Sequence, residues 1–210
     1  IGCGDGWTLA RIAENRKTPC AHGLDAFLKE KDILKMNRPG ITFYNTPLAL
    51  GRSYDLILMM DVLEHIENDT SFLKNIVRNH AGDNTRFLIT VPFGNTLFSS
   101  HDVFLKHYRR YNRQDLNTLI EGAGLTVHNE GAMFASLLVP RFLQCLRERL
   151  NPIKKDTSTP QILWPHGPLL TRLTQTVLDL DNALLFSLSR LRFPVIGLTL
   201  WSIAGKRSPL

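Results

Sequence analysis

Between Ser53 and Asp61 the chain reads SYDLILMMD, a near-continuous apolar run. Such a run predicts a strand covered on both faces. TRFLITVP, closed by Pro92, has the same character. Shorter β-rich stretches are TPCAHGLDA, ending near Asp25, and GITFYN; LTVHNEGA and GLTLWSIAGK complete the strands. Between them the period changes to that of a helix. Residues 7–15 form one such stretch after a glycine-rich start. DAFLKEKDILKM is another, with Phe27, Leu28, Ile33 and Leu34 as its apolar points. Phe72, Leu73, Ile76 and Val77 mark a helix over 69–80. NRQDLNTLIEGAG predicts a helix with Asn112 as N-cap, Asp115 three residues on, and Gly124 as the stop.

Strands alternating with helices predict an α/β fold with a Rossmann-like, doubly wound, mostly parallel sheet covered on both faces. Residues 1–133 carry this rhythm. Residues 134–192 interrupt it with two helical stretches around NPIKKDTSTPQILWPHGP, and residues 193–210 return to a last strand and a tail. In the second helical stretch Leu170, Leu173, Val177, Leu180 and Leu184 form one stripe. Arg141, Arg147, Arg149, Lys154 and Lys155 flank the first. Two uses fit: a lid or homo-oligomer surface, which is the preferred one, or an interfacial helix on an anionic membrane. No uncharged run reaches the ~18 residues that a spanning helix needs.

Composition narrows the class. The chain is 43% hydrophobic and 21% charged, ordinary for a soluble globular protein, and no basic start followed by an apolar core is visible as a secretory signal would show. Cys3, Cys20 and Cys145 form no CxxC pair, so reduced thiols in the cytoplasm are the default. A net charge of +6 and a pI near 9.4 favour anionic partners. The basic residues are dispersed, apart from HYRRYNR and the region from Arg141 to Lys155.

The chain opens on IGCGDGWTLARIA. Gly2, Gly4 and Gly6 would let the backbone turn sharply and approach a ligand, and the following helix offers free N–H groups. Asp25 follows 19 residues beyond Gly6, where a carboxylate could accept both hydroxyls of a ribose. Together they point to a nucleoside-containing cofactor. A dinucleotide fingerprint would place its third glycine at residue 7, which is Trp7. That disfavours a nicotinamide-dependent oxidoreductase.

The G-x-G-x-G spacing resembles motif I of class I S-adenosylmethionine-dependent methyltransferases, h-h-D-h-G-C-G-x-G. The resemblance continues in GLDA, SYDLILMMDVLEHIEND and RFLITVPFGN, and FPVIGLTLWSIAGKR is similar to the family's closing strand. It implies S-adenosyl-L-methionine as cofactor, cradled by Gly2, Gly4 and Gly6, with Asp25 on its ribose and Asp61 near its methionine or adenine edge. Asn45 stands where the family often has an acid beside the adenine. The family's first strand and its acid would precede Ile1, so the expectation is a chain cut through its own cofactor site, folding poorly or binding weakly.

In MMDVLEHI, Asp61 follows a strand directly. If a helical turn starts there, Asp61, Glu64 and His65 stand at i, i+3 and i+4 and share one face. Three roles are open. The cluster can brace the turn and position cofactor. His65 can act as a general base, with His107 as a second candidate. The set Asp61, Glu64, His65 and His107 can hold a divalent cation such as Mg2+, since D-x-x-E-H is similar to the E-x-x-E-H of small-RNA 2′-O-methyltransferases.

HDVFLKHYRRYNR follows the fifth strand of the resemblance and would lie over the site. It resembles a segment of a bacterial branch of the family. Arg109 and Arg110 offer planar forks for carboxylate or phosphate. His101 and Asp102 could form a base–orienter pair; His101, Arg109 and Arg110 are the substrate-binding candidates. The expected activity is methyl transfer, chiefly to oxygen, on a small-molecule or glycan/lipid-linked acceptor. No aromatic-basic nucleic-acid module is visible beyond this loop. The rivals are a non-catalytic methyltransferase-like binding domain and a metal-assisted 2′-O-type enzyme.

Overall fold

The computed structural model describes residues 1–18, 20–46, 52–150 and 167–206. Lys154 and Lys155 lie outside the described residues. The fold is α/β, as the alternation predicts. In chain order the helices are α1 (Trp7–Arg16), α2 (Glu30–Met36), α3 (Asp69–His80), α4 (Ser100–Phe104), α5 (Arg113–Gly122), α6 (Leu138–Leu150) and α7 (Pro168–Arg190). The strands are β1 (Ala21–Leu24), β2 (Ile41–Tyr44), β3 (Tyr54–Met60), β4 (Ala81–Pro92), β5 (Leu125–Met133) and β6 (Thr199–Lys206).

Two sheets result. β1 and β2 pair in parallel. The other four strands lie in the order β3-β4-β6-β5. β3 and β4 run parallel, while β6 enters antiparallel between β4 and β5. The first residues span the space between the sheets. The Ile1 nitrogen donates to the Leu58 carbonyl of β3, and the Gly2 and Cys3 amides donate to the Leu24 carbonyl that ends β1. The glycine loop is thereby fixed at the carboxyl end of β1.

The main core lies on β4, whose Phe87, Ile89 and Val91 are completely buried. Leu73, Ile76 and Val77 of α3 and Leu116, Leu119 and Ile120 of α5 pack into the same cluster. Each such side chain contributes about 1.5–3 kcal/mol by leaving water. A smaller cluster joins Ala10 and Ala13 of α1 to Ile41 and Phe43 of β2. Caps set the helix starts. Asn68 accepts from Ser71 N–H at α3, and Asn112 and Asp115 exchange bonds in a capping box at α5.

Some expectations need revision. DAFLKEKDILKM is helical only from Glu30, and Phe27 and Leu34 are 91% and 77% exposed rather than apolar anchors. Asp25 accepts the Phe27 amide, which holds that stretch in a turn before α2 can start. β3 is not buried on both faces. Ile57 and Met59 enter the core, but Leu56 and Met60, which alternate with them on the opposite face, are exposed. α6 and α7 leave apolar rows open to solvent, including Phe142 and Leu143 on one and Leu173 and Leu180 on the other. Among the described residues no helix is long and apolar enough to cross a membrane.

Candidate active site

Gly2, Gly4 and Gly6 all have positive φ, at 66°, 52° and 75°. A side chain at any of them would carry a left-handed penalty of about 1–2 kcal/mol. Their surroundings differ. A Cβ on Gly2 would stand 2.5 Å from Val62 Cγ2, and one on Gly6 2.4 Å from the Phe43 ring. A Cβ on Gly4 would meet nothing within 4 Å. Gly2 and Gly6 therefore admit neighbouring side chains, while Gly4 presents bare backbone to an open cleft. Trp7 is 68% exposed, so the tight helix–strand approach falls at Gly6, one residue earlier.

Asp25 ties this loop to the end of β1. Its Oδ2 accepts the Gly4 amide and its Oδ1 the Phe27 amide, each at 2.9 Å. The cleft of about 390 Å³ is lined by Gly4, Asp5, Asp25, Phe27, Leu28 and Asp32. Asn45 holds one wall, its Nδ2 donating to the Leu28 carbonyl at 3.2 Å. Phe27 and Asp32 were invisible as lining residues in the sequence, because only the turn after Asp25 brings them there.

Gly2 leads to the second part of the site through its packing on Val62. Asp61 has φ 53°, a left-handed conformation that an aspartate tolerates better than most residues. Its amide donates to the carbonyl and hydroxyl oxygens of Thr90, and the Thr90 hydroxyl donates to Asp61 Oδ1 at 3.2 Å. Crowding by protein raises the Asp61 carboxyl pKa, against the Thr90 bond and the nearby His107 and His65.

The turn Leu63–His65 is a 3-10 turn rather than an α-helix. Tighter winding and the left-handed Asp61 change which side chains meet. Glu64 turns inward and is 1% exposed, while His65 stays at the surface. Ligand atoms of Glu64, His65 and His107 lie within 4.8 Å of one another, and Asp61 is outside that group. The His65 and His107 rings meet edge to face at 4.6 Å. Among the described residues Glu64 Oε2 has no hydrogen-bond partner. Burial, with smaller contributions from Asp61 and Asp102, pushes the Glu64 carboxyl up to about 8. Burial and the His107 charge lower the His65 pKa, favouring its neutral form.

His107 is oriented by Asp102, its Nδ1 lying 2.9 Å from Asp102 Oδ1. The orienting carboxylate thus serves His107, not its chain neighbour His101. Asp102 is fully buried and also accepts Arg110 Nε on Oδ1 and Arg141 Nη2 on Oδ2, both at 2.7 Å. Burial alone would raise its pKa; the bonds from His107 and Arg110 outweigh it and hold the carboxyl below its usual range. The Tyr108 amide donates to the Glu64 carbonyl at 2.8 Å, closing this loop onto the turn.

Arg110 is buried and spends its donors on Asp102 and the Phe93 carbonyl. Arg109 donates to Asp69 Oδ2 at 2.9 Å and to the Glu67 carbonyl. Tyr111 also donates to Asp69 Oδ2, at 2.7 Å; burial and this carboxylate raise the phenol pKa. Arg109 nevertheless borders a second cleft of about 530 Å³ with Thr70, Gln114 and Thr118. His101 is half-buried, its imidazole pKa lowered by burial and by Arg141.

A family model described as a methyltransferase domain matches residues 1–130. The chain belongs to the methyltransferase-domain family. An N-methyltransferase 4 of Papaver somniferum is 27% identical over 111 residues, 48% of this chain and 31% of the relative. The chain therefore spans about a third of the length of the curated relative it matches. Among solved structures, an S-adenosylmethionine-dependent methyltransferase from Mesorhizobium loti superposes with a TM-score of 0.55 at 14% identity, over 98% of this chain and 88% of that one. The O-methyltransferase of a trans-AT polyketide synthase multienzyme of Brevibacillus brevis, solved with S-adenosyl-L-homocysteine, gives 0.53 at 16% identity, over 98% and 65%. These structures share the methyltransferase domain's fold.

Proposed function

We propose that this methyltransferase domain binds S-adenosyl-L-methionine and transfers its methyl group to an oxygen of a small-molecule or glycan/lipid-linked acceptor. The observation that carries the reading is the Gly4–Asp25 arrangement: bare backbone at Gly4, open to a cleft and held by the acid that ends β1. The bound cofactor supplies an already activated methyl group, so the chain's own task is alignment. Gly2, Gly4 and Gly6 shape the backbone that cradles it. Asp25 offers its remaining acceptor capacity to ribose hydroxyls, and Asn45 steadies the Leu28 wall. Asp61 stands at the joint between this cleft and the histidines.

Oxygen is favoured over nitrogen by the base chemistry of the second part. His107 uses Nδ1 toward Asp102, which leaves Nε2 to accept a proton from an acceptor hydroxyl. His65, kept neutral, provides an adjoining base. The apolar rows on α6 and α7 support an acceptor with a lipid portion. In this layout residues 1–133 form the cofactor-binding core, 134–192 the helical addition and 193–210 the closing strand. Titration of the full chain with S-adenosyl-L-homocysteine tests the reading. Saturable binding that weakens at least about tenfold in Asp25→Ala is expected; no saturable heat from folded wild type at millimolar ligand overturns it.

A second reading is metal-assisted transfer. It is favoured by the proximity of Glu64, His65 and His107 and by the unpartnered Glu64 Oε2. One carboxylate and two imidazoles suit a divalent transition ion as well as Mg2+. Mn2+ titration followed by electron paramagnetic resonance distinguishes the two, since general-base catalysis requires no bound ion.

A further inference from the structure

We propose that Arg141 of α6 is a positioning residue for methyl transfer, locking His107 in one tautomer through Asp102. The inference rests on the reading of His107 as a base and extends it to an element outside residues 1–130, the span matched by the family model.

A carboxylate has about four acceptor positions. Asp102 fills them from three segments: the Ser99 cap, the His107–Arg110 loop and α6. Oδ1 takes His107 Nδ1 and Arg110 Nε; Oδ2 takes the Ser99 amide and Arg141 Nη2. Ser99 and Asp102 belong to the capping box of α4, so the local chain already holds part of Oδ2. Arg141 comes from 39 residues away and joins it to the Leu97 carbonyl and the Ser99 hydroxyl through the same nitrogen. It therefore fixes the carboxylate's rotation from the side opposite His107. With both oxygens pinned, Oδ1 faces His107 as an acceptor only. The imidazole must then present Nδ1–H to it and keep Nε2 free on the side of Glu64 and His65.

Arg141 is a costly anchor if α6 merely needs attachment. Its guanidinium is buried and its Nε has no partner among the described residues. α6 is independently tied down by Ser100 to Glu148, Arg149 to the Thr96 carbonyl, and Cys145 to the Leu97 carbonyl. A buried ion pair replaced by apolar packing is often neutral or stabilising. The second cation on Asp102 is thus explained by what it does to the carboxylate's orientation, and through it to the base.

The test is histidine side-chain 15N–1H correlation on the full chain at pH 8, with His107 assigned from a His107→Gln sample. Wild type is expected as the Nδ1–H tautomer. Arg141→Gln should lower the Nδ1–H to Nε2–H ratio about tenfold. Arg141→Lys, which keeps the cation but has no planar fork, should shift it in the same direction by less. A wild-type spectrum in both variants overturns the proposal, and so does a wild-type Nε2–H tautomer. If Arg141→Gln does not fold, Arg141→Lys alone decides on the same criterion. S-adenosyl-L-homocysteine titration runs in parallel. Unchanged tautomers with intact binding defeat the positioning role alone, whereas no binding by wild type defeats the underlying reading.

Discussion

Gly4 donates its amide to Asp25 Oδ2 at 2.9 Å, so the acid that ends β1 is held by the loop it faces. One carboxylate both shapes the loop and borders the cleft. Asp25→Ala should therefore weaken S-adenosyl-L-homocysteine at least about tenfold and cost about 1–2 kcal/mol of stability. Calorimetric titration and thermal melting measure the two losses separately. A loss of stability without any loss of affinity would assign Asp25 to the loop alone.

Gly4 and Gly6 should respond differently to the same substitution. Gly4→Ala adds a methyl into open space at φ 52°, so its stability cost is the backbone penalty of about 1–2 kcal/mol. Its main effect should be on ligand affinity. Gly6→Ala adds the same penalty at φ 75° and drives a Cβ against Phe43, which is buried in the α1–β2 core. It should melt lower than Gly4→Ala, by several degrees in a scan of both proteins. Equal melting temperatures would contradict the contact.

Glu64 predicts a pH dependence. Its carboxyl titrates near 8 in the folded chain against 4.5 as its ordinary value. Between those values the folded state holds a proton that the unfolded state has released. Stability from this group is thus fully present below pH 4.5 and is lost as pH rises toward 8. Glu64→Gln mimics the protonated form. In chelator, it should be more stable than wild type by about 3 kcal/mol at pH 7 and should remove that part of the pH slope. Denaturant midpoints across that range check it; parallel curves for the two proteins would refute it.

Asp102 predicts the opposite sign and a larger loss. Asp102→Ala leaves two buried guanidiniums, Arg110 and Arg141, without their carboxylate. Removing one partner of a buried pair costs about 3–5 kcal/mol. Arg109→Gln breaks a bond to Asp69 at a site about a third exposed, and should cost less than about 1 kcal/mol. Urea unfolding of both variants ranks them. Arg109→Gln emerging as the worse of the two would overturn the burial argument.

Much of this was legible locally. The glycine spacing, the acid 19 residues on and the Asn112 capping box each depend on residues close in sequence or on one strand length. The open face of β3 was not legible, since an apolar run reads alike whether its second face is covered or open. The D-V-L-E-H turn misled for a different reason. An i, i+3, i+4 face presupposes 3.6 residues per turn, and the left-handed Asp61 followed by a 3-10 turn breaks that premise. Asp102 was read as a partner for His101 because they adjoin. Beyond the Ser99 cap its partners lie five, eight and 39 residues away, and only the fold chooses among such candidates. The two arginines looked like ligand-binding forks because the sequence does not say which carboxylate each meets; Asp69 reaches Arg109 and Asp102 reaches Arg110 in space.

β6 lies far along the chain yet fills the gap between β4 and β5. Until Thr199–Lys206 arrive, those two strands have no common neighbour and each keeps a row of unpaired amides and carbonyls. Closing the sheet therefore waits on contacts between distant parts of the polypeptide, which slows folding and lengthens the time in which sticky edges are bare. During synthesis, chains stalled before this segment are the species that most need a chaperone.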